Sequence, residues 1–107
     1  MSRIDAFRRM LEQGQDNALL RFSLGREYLN AGDDVSAVTH LRVAVEHDPD
    51  YSAAWRDLGK ALQRSGEPAA AAEAWRAGIA AAERAGDKQA AKEMQVFLKR
   101  VIRAGDE

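Results

Sequence analysis

Histidine and aspartate pairs are the residues of this sequence whose types first suggest a chemical site. His40 and His47 lie seven positions apart on a segment predicted to be helical, so both face the same side, two turns apart. At the helical rise per residue the two are separated by roughly 10 Å, which is too far for one metal ion to bridge. Two surface histidines on an outer helix are the favoured interpretation, and we predict no metal site.

Two pairs of aspartates stand at junctions between predicted helices. Asp33 and Asp34 are adjacent, and Asp48 and Asp50 flank Pro49. Paired carboxylates can ligate metals or act as a general acid and base, but aspartate at a helix junction commonly forms a turn or a cap. The sequence also lacks Ser–His–Asp spacing, a glycine-rich phosphate loop and an H-E-x-x-H motif. We therefore predict no catalytic residues, no cofactor and no enzymatic activity.

The composition is that of one small globular domain. Of the 107 residues, 46% are hydrophobic and 31% are charged, with 16 Lys and Arg against 17 Asp and Glu. This balance gives no reason to expect nucleic acid or an anionic membrane as a partner. The absence of cysteine excludes disulfides and thiolate chemistry. The charged N-terminal segment has no apolar signal region and no stretch is long enough to span a membrane, so we predict a cytoplasmic protein.

Helix signals predict an all-α fold. The predicted helices cover residues 3–13, 17–30, 34–47, 51–65, 68–84 and 87–103. Side chains able to cap a helix N-terminus stand at Ser2, Asp16, Asp50 and Asp87. Gly14, Gly32 and Gly66 stand where a helix C-terminus favours a left-handed residue. Pro68 fits the first turn of the fifth helix, where its missing N–H has no partner to lose.

The sequence repeats with a period of 34 residues. The identities at this shift are Asp16 with Asp50, Leu24 with Leu58, Gly25 with Gly59, Gly32 with Gly66, Ala37 with Ala71 and Arg42 with Arg76. Apolar character also matches between Tyr28 and Leu62, Leu41 and Trp75, and Val45 and Ile79. An internal period of this length indicates a helical repeat architecture.

This pattern resembles the tetratricopeptide repeat, a helix–turn–helix unit with the motif W-x2-L-G-x2-Y followed by A-x3-F. Residues 18–51 and 52–85 resemble two copies of it. The chain departs from the motif at Arg21, which replaces Trp, and at Glu83, which replaces Pro. The resemblance implies a single domain over 1–107, a short right-handed superhelical solenoid of antiparallel helix pairs.

The flanking helices are expected to complete the two ends of the solenoid. Residues 3–13 are interpreted as an N-terminal half-repeat, with Phe7 at the aromatic position of a second helix. The helix over 87–103 has an apolar stripe but no Leu-Gly pair, so it is interpreted as a C-terminal cap on the last repeat. The apolar stripes comprise Ile4, Phe7, Met10 and Leu11 in the first helix and Ala90, Met94, Phe97, Leu98, Val101 and Ile102 in the last.

Two glycines lie inside predicted helices, where glycine costs about 1 kcal/mol relative to alanine. We expect Gly25 and Gly59 to let paired helices approach closely, with Ala37 and Ala71 as the small residues that face them. The aromatic residues predicted to lie in the core are Phe7, Trp55, Trp75 and Phe97.

The first helix of each pair is expected to line the concave face of the solenoid. The residues predicted to bind a partner there are Leu19, Phe22, Arg26, Leu29, Arg56, Lys60 and Gln63. Because this set combines cations with exposed apolar groups, it suits an extended or helical peptide with acidic and apolar side chains. The alternative is that Phe22 packs beneath the N-terminal helix and that the cations are only solvated.

The leading functional prediction is a non-enzymatic protein–protein interaction module, a small adaptor or assembly factor. The alternative is a self-associating scaffold that uses the C-terminal helix as its interface, so the expected state is a monomer or a weak homodimer. Nucleic-acid binding through Lys99, Arg100 and Arg103 is disfavoured, because the overall charge is close to zero.

Overall fold

Six α-helices joined by short turns make up the part of the chain that the computed structural model describes, residues 1–105. They are α1 (Arg3–Glu12), α2 (Ala18–Asn30), α3 (Asp34–His47), α4 (Ser52–Arg64), α5 (Pro68–Arg84) and α6 (Lys88–Gly105). No strand occurs within that range, and the all-α prediction is confirmed. Positions 106–107 of the predicted domain lie outside the described residues. In the described part of the chain, no helix combines the length and apolarity of a membrane span.

Local capping chemistry sets most helix boundaries within two residues of the predicted ones. The Ser2 side chain accepts a hydrogen bond from the Asp5 N–H at 3.1 Å, and the Asp5 carboxylate accepts one from the Ser2 N–H in return. This reciprocal pair is a capping box. Asp33 and Asp87 accept backbone N–H bonds at the starts of α3 and α6. The predicted left-handed residues have φ between 82° and 89°: Gly14, Gly32 and Gly66.

Two of the predicted caps are wrong. Asn17, not Asp16, caps α2 through its side-chain oxygen. The helix α4 begins after Tyr51 without a side-chain cap, and Asp50 instead accepts a hydrogen bond from Arg84 at 2.7 Å. In both cases the carboxylate beside the helix start accepts hydrogen bonds from an arginine, in which both the donor and the acceptor are charged.

Each helix packs mainly on its neighbours in sequence, and further contacts join α2 to α4 and α4 to α6. This arrangement is that of a solenoid, in which each unit touches only adjacent units. The largest fully buried side chains come from every helix except α1: Leu24, Leu41, Leu62, Trp75 and Met94.

The glycines of the two Leu-Gly pairs are the closest contacts between paired helices. A Cβ built on Gly25 would lie 2.5 Å from Leu41 Cγ, and one built on Gly59 would overlap the indole of Trp75. The predicted close approach is confirmed. The receiving residues are one turn further along than the alanines expected to receive them, because a large side chain fills the space that each glycine leaves.

The two end helices pack differently. The predicted apolar stripe of α1 is only half-buried, and the described contacts of α1 are with α2. The helix α6 packs more deeply, since Met94 lies against Gly78 of α5 and the Phe97 ring centroid lies 5.4 Å from that of Trp75. Of the predicted core aromatics, Trp75 is fully buried and Phe7, Trp55 and Phe97 are half-buried.

Candidate functional site

A groove runs between α2 and α4, the first helices of the two pairs. Its volume is about 360 Å³, and it is lined by Arg26, Leu29, Asn30, Arg56, Asp57 and Lys60. Arg26 and Lys60 each follow a packed glycine and occupy equivalent positions 34 residues apart. Because the glycines face the partner helices α3 and α5, the next residue on each helix is turned toward this groove.

A buried carboxylate organises the groove. Asp57 is 3% exposed, and its two oxygens accept hydrogen bonds from Arg26 Nε at 3.0 Å and from Arg56 Nε at 3.2 Å. A buried charge is tolerated only when it is paired and hydrogen-bonded, so Asp57 holds both guanidinium groups in place. Sequence reasoning missed Asp57, because Arg26 lies 31 residues away on another helix and no local pattern links the two.

The predicted exposure of two apolar residues is wrong. Phe22 is 9% exposed and Leu29 is 6% exposed. The Phe22 ring centroid lies 4.8 Å from that of Tyr51, and the guanidinium carbon of Arg26 lies 4.6 Å above the same ring. Tyr51, which precedes α4, and the Arg26 guanidinium both cover Phe22.

The last helix, α6, contacts two of the residues that line the groove. Arg56 Nη1 lies 3.6 Å from Glu93 Oε1, and Lys60 Nζ lies 5.1 Å from the centroid of the Phe97 ring. Within residues 1–105, Lys60 forms no ion pair shorter than 4.0 Å. The groove therefore has three cations beside two carboxylates, Asp57 and Glu93, and keeps a positive excess.

The structure gathers only part of the predicted set. It brings Arg26, Leu29, Arg56 and Lys60 together in the groove lining. Three predicted residues do not line it: Leu19, Phe22 and Gln63. Leu19 is exposed at the start of α2 and Gln63 is exposed at the end of α4. Whether each of these residues binds a partner stays a prediction.

A second polar cluster occupies the outer side of the α2–α3 pair. Both oxygens of Asp16 accept hydrogen bonds from Arg21, each at 2.8 Å, and His47 Nε2 lies 3.1 Å from Asp16 Oδ1. The Arg21 hydrogen bonds, with His47 adding to them, lower the pKa of Asp16 to about 2. Arg21 stands where the repeat motif has Trp, so this network replaces an apolar anchor with an ionic one.

His40 belongs to the same cluster and is half-buried, so the surface prediction is wrong for this histidine. Arg21 Nη1 lies 3.0 Å from His40 Nδ1, and the Tyr28 ring stacks on the imidazole at 5.4 Å. Because arginine stays protonated and only donates, Nδ1 must accept this bond. Burial lowers the pKa of His40, and the charges of Arg21 and Arg8 lower it further. Among the described residues, no three His, Asp or Glu side chains are grouped to hold a metal ion.

Known proteins resemble the chain along almost its whole length. No protein-family model matches it. A TPR repeat-containing protein of Pseudomonas aeruginosa is 54% identical over 101 residues, which cover 94% of this chain and 96% of that protein.

Solved structures of similar proteins share the helical arrangement. A Bordetella parapertussis protein known from a solution structure is 47% identical, has a TM-score of 0.82, and is matched over 97% of this chain and 90% of its own. The tetratricopeptide repeat domain protein of Salinibacter ruber is 26% identical, and its solution structure has a TM-score of 0.73 over 80% of this chain and 87% of its own.

Proposed function

The chain belongs to the tetratricopeptide repeat family, and on that premise we propose that it is a non-enzymatic interaction module whose α2–α4 groove binds a peptide with acidic and apolar side chains. Membership of the family itself indicates a protein–protein interaction module. The observation that carries the choice of groove and ligand is the cluster of Arg26, Arg56 and Lys60 around the buried carboxylate of Asp57.

The anchoring of the arginines supports an acidic ligand. Arg26 contacts Asp57 through Nε, and its side chain remains 44% exposed. A guanidinium held in this way keeps its terminal N–H groups available for a carboxylate, with little rotamer entropy left to lose. Fixed donors of this kind favour one ligand geometry over many.

The surroundings of Lys60 support the same ligand. The ammonium lies over the Phe97 ring and is only half-exposed, while no carboxylate of residues 1–105 lies within 4.0 Å of it. A peptide carboxylate would complete that pairing. Leu29 lines the same groove and offers an apolar contact beside the cations, as a mixed acidic and apolar peptide requires.

The proposed role is that of a small cytoplasmic adaptor or assembly factor. A peptide library displayed on phage tests the groove, using the wild-type protein, Lys60→Glu and the control variant Arg76→Glu. Arg76 is an exposed cation of α5 that does not line the groove. The wild type should enrich peptides that combine Asp or Glu with apolar residues.

The variants decide which surface the enriched peptides use. Binding of a synthetic enriched peptide should fall roughly tenfold with Lys60→Glu, equivalent to about 1.4 kcal/mol, and should persist with Arg76→Glu. Enrichment of basic or charge-free peptides, or equal binding by Lys60→Glu and the wild type, would overturn the proposal. Unchanged circular dichroism of both variants shows that a loss is not caused by unfolding.

A further inference from the structure

The outward face of α6 carries a narrow stripe of cations. Lys88, Lys92, Lys99 and Arg103 are all exposed, and at 100° per residue they fall within an arc of about 60°. The stripe is about 22 Å long at the helical rise per residue. In the part of the chain that is described, none of the four forms an ion pair within 4.0 Å.

Positive charge is concentrated on this helix. The helix α6 contains five Lys and Arg residues and one carboxylate, Glu93, which lies near Arg56 of the groove. The whole chain has a formal net charge of −1, so carboxylates are in excess outside α6. A stripe of like charges with no internal partner is electrostatically complementary to an acidic surface.

Two mainly apolar grooves border the stripe, one near each end. The first lies beside the α5–α6 turn, where Gly86, Ala91 and Gln95 line it together with two cations and one carboxylate: Lys88, Lys92 and Glu83. The second lies between the start of α5 and the end of α6, where its lining comprises Pro68, Ala69, Ala72, Val101, Ile102 and Gly105.

Exposed apolar side chains accompany these grooves. Val96, at the middle of the stripe, is 45% exposed, and Ile102, in the second groove, is 43% exposed. A partner that covers both residues must bring apolar groups as well as negative charge.

We propose that the outward face of α6 binds an acidic amphipathic helix of a partner protein. Two helices share the same rise per residue, so carboxylates spaced by three or four residues on the partner can match the cations of the stripe along its length. Apolar side chains on the same partner face would enter the two grooves and cover Val96 and Ile102. This surface lies outside the α2–α4 groove and does not depend on the proposed function.

Other occupants fit this face less well. A nucleic acid would leave the apolar grooves unfilled, and Phe97, the aromatic residue of α6, faces Trp75 rather than solvent. A second copy continuing the solenoid would need a close helix approach, but Lys92 and Glu93 stand where the repeats have Leu58-Gly59. An acidic amphipathic helix is the occupant that can pair with the cations of the stripe and also fill the apolar grooves.

Fluorescence anisotropy with a designed probe tests the proposal. The probe is a labelled peptide of Ala, Leu and Glu with carboxylates at the spacing of Lys88, Lys92, Lys99 and Arg103, and the control peptide has the same composition in scrambled order. The wild-type protein should bind the designed probe more tightly than the scrambled one, and binding should weaken as salt is raised.

Charge-reversal variants show which surface of the protein binds the probe. Lys92→Glu combined with Lys99→Glu should lower affinity for the probe by roughly tenfold or more. Arg42→Glu combined with Arg76→Glu reverses two exposed charges on α3 and α5, outside both proposed binding surfaces, and should have no effect. Circular dichroism of each variant shows that the helices are retained.

Several outcomes would overturn the proposal. Equal binding of the designed and scrambled probes, or equal loss with the two double variants, would show that only nonspecific charge attraction acts. Tighter binding of a duplex oligonucleotide, or of vesicles of phosphatidylserine and phosphatidylcholine, would assign the face to a different partner. A dimer by light scattering that dissociates on the Lys92→Glu and Lys99→Glu substitutions would assign it to a second copy.

Discussion

In both helix pairs a side chain of the second helix packs on a glycine of the first helix, but the side chain differs between the pairs. In the α2–α3 pair Leu41 packs on Gly25, and in the α4–α5 pair the indole of Trp75 packs on Gly59. The spacing of 16 residues between glycine and filler is the same in both pairs. The comparison shows that the glycine leaves space at the same position in both pairs, while the side chain that fills it can vary in size and shape.

The pairs differ more strongly on their outer sides. In the second pair the Trp55 indole N–H donates to the Pro49 carbonyl at 2.8 Å, beside apolar neighbours. In the first pair Arg21 takes the equivalent position and joins Asp16 and His40. At this position the second pair has apolar packing with a neutral hydrogen bond, whereas the first pair has a charged network that contains the titratable His40.

Truncation of the two filling side chains has the largest expected effect. Trp75→Ala should lower the free energy of unfolding by about 3–5 kcal/mol, and Leu41→Ala by about 2–5 kcal/mol, because both leave cavities in the core. Trp75→Ala should lower the free energy of unfolding by more than Leu41→Ala, since Trp75 also donates a hydrogen bond to the Arg56 carbonyl and packs against Phe97. Urea unfolding followed by circular dichroism measures both. A larger loss for Leu41→Ala would contradict the greater role of the second pair.

Substitution of the packed glycines, Gly25 and Gly59, by alanine has the second-largest expected effect. Gly59→Ala pushes a Cβ into the rigid indole and should destabilise by about 1–3 kcal/mol. Gly25→Ala meets the branch carbon and methyl groups of Leu41, which can move more easily than an indole ring, while the gain of about 1 kcal/mol in helix propensity is the same at both positions. Thermal unfolding should therefore show a larger drop in melting temperature for Gly59→Ala. Stabilisation by both substitutions would refute the close contact.

Acidification has the smallest expected effect and should act on one pair only. The pKa of His40 is lowered in the folded state, so its contribution to stability is complete above the unfolded value of about 6.5 and is lost as pH falls below it. Between pH 7.5 and 5, hydrogen exchange measured relative to the intrinsic amide rate at each pH should accelerate in α2 and α3 and stay constant in α4 and α5.

A matched variant separates His40 from other titrating groups. His40→Gln keeps an acceptor for Arg21 but does not titrate, so it should remove the pH dependence while His47 remains. The equivalent residue of the second pair is Ala74, which supplies the internal comparison. Equal acceleration of exchange in both pairs, or a persistent pH response in His40→Gln, would show that the cluster is not the source.

Helix positions could be predicted because their signals are local. Ser2 and Pro68 act on the turn that they begin, and a 34-residue period survives without knowledge of any contact. The errors at Asp16 and Asp50 have a common physical origin. Each carboxylate accepts hydrogen bonds from an arginine, and in the case of Asp50 that arginine, Arg84, lies 34 residues away. Capping rules based on neighbouring residues cannot identify a partner that lies so far away in the sequence.

The groove could be predicted only in part. The helical period placed Arg26 and Lys60 on one face of their helices, and they do line the groove. The same period placed Phe22 and Leu29 on that face and predicted that they would be exposed. Their burial depends on how closely the next repeat approaches, which is a property of packing between helices and not of spacing within one helix.

By itself the sequence determined the helices, the 34-residue period and the contact points at Gly25 and Gly59, because caps, periodicity and glycine act over a few residues. Tertiary structure alone decided that Asp57 is buried between two arginines and that Arg21 and His40 form a network. It also decided that the cations of α6 lie beside two apolar grooves. These features join side chains from different helices, and their electrostatic consequences follow from distance and burial.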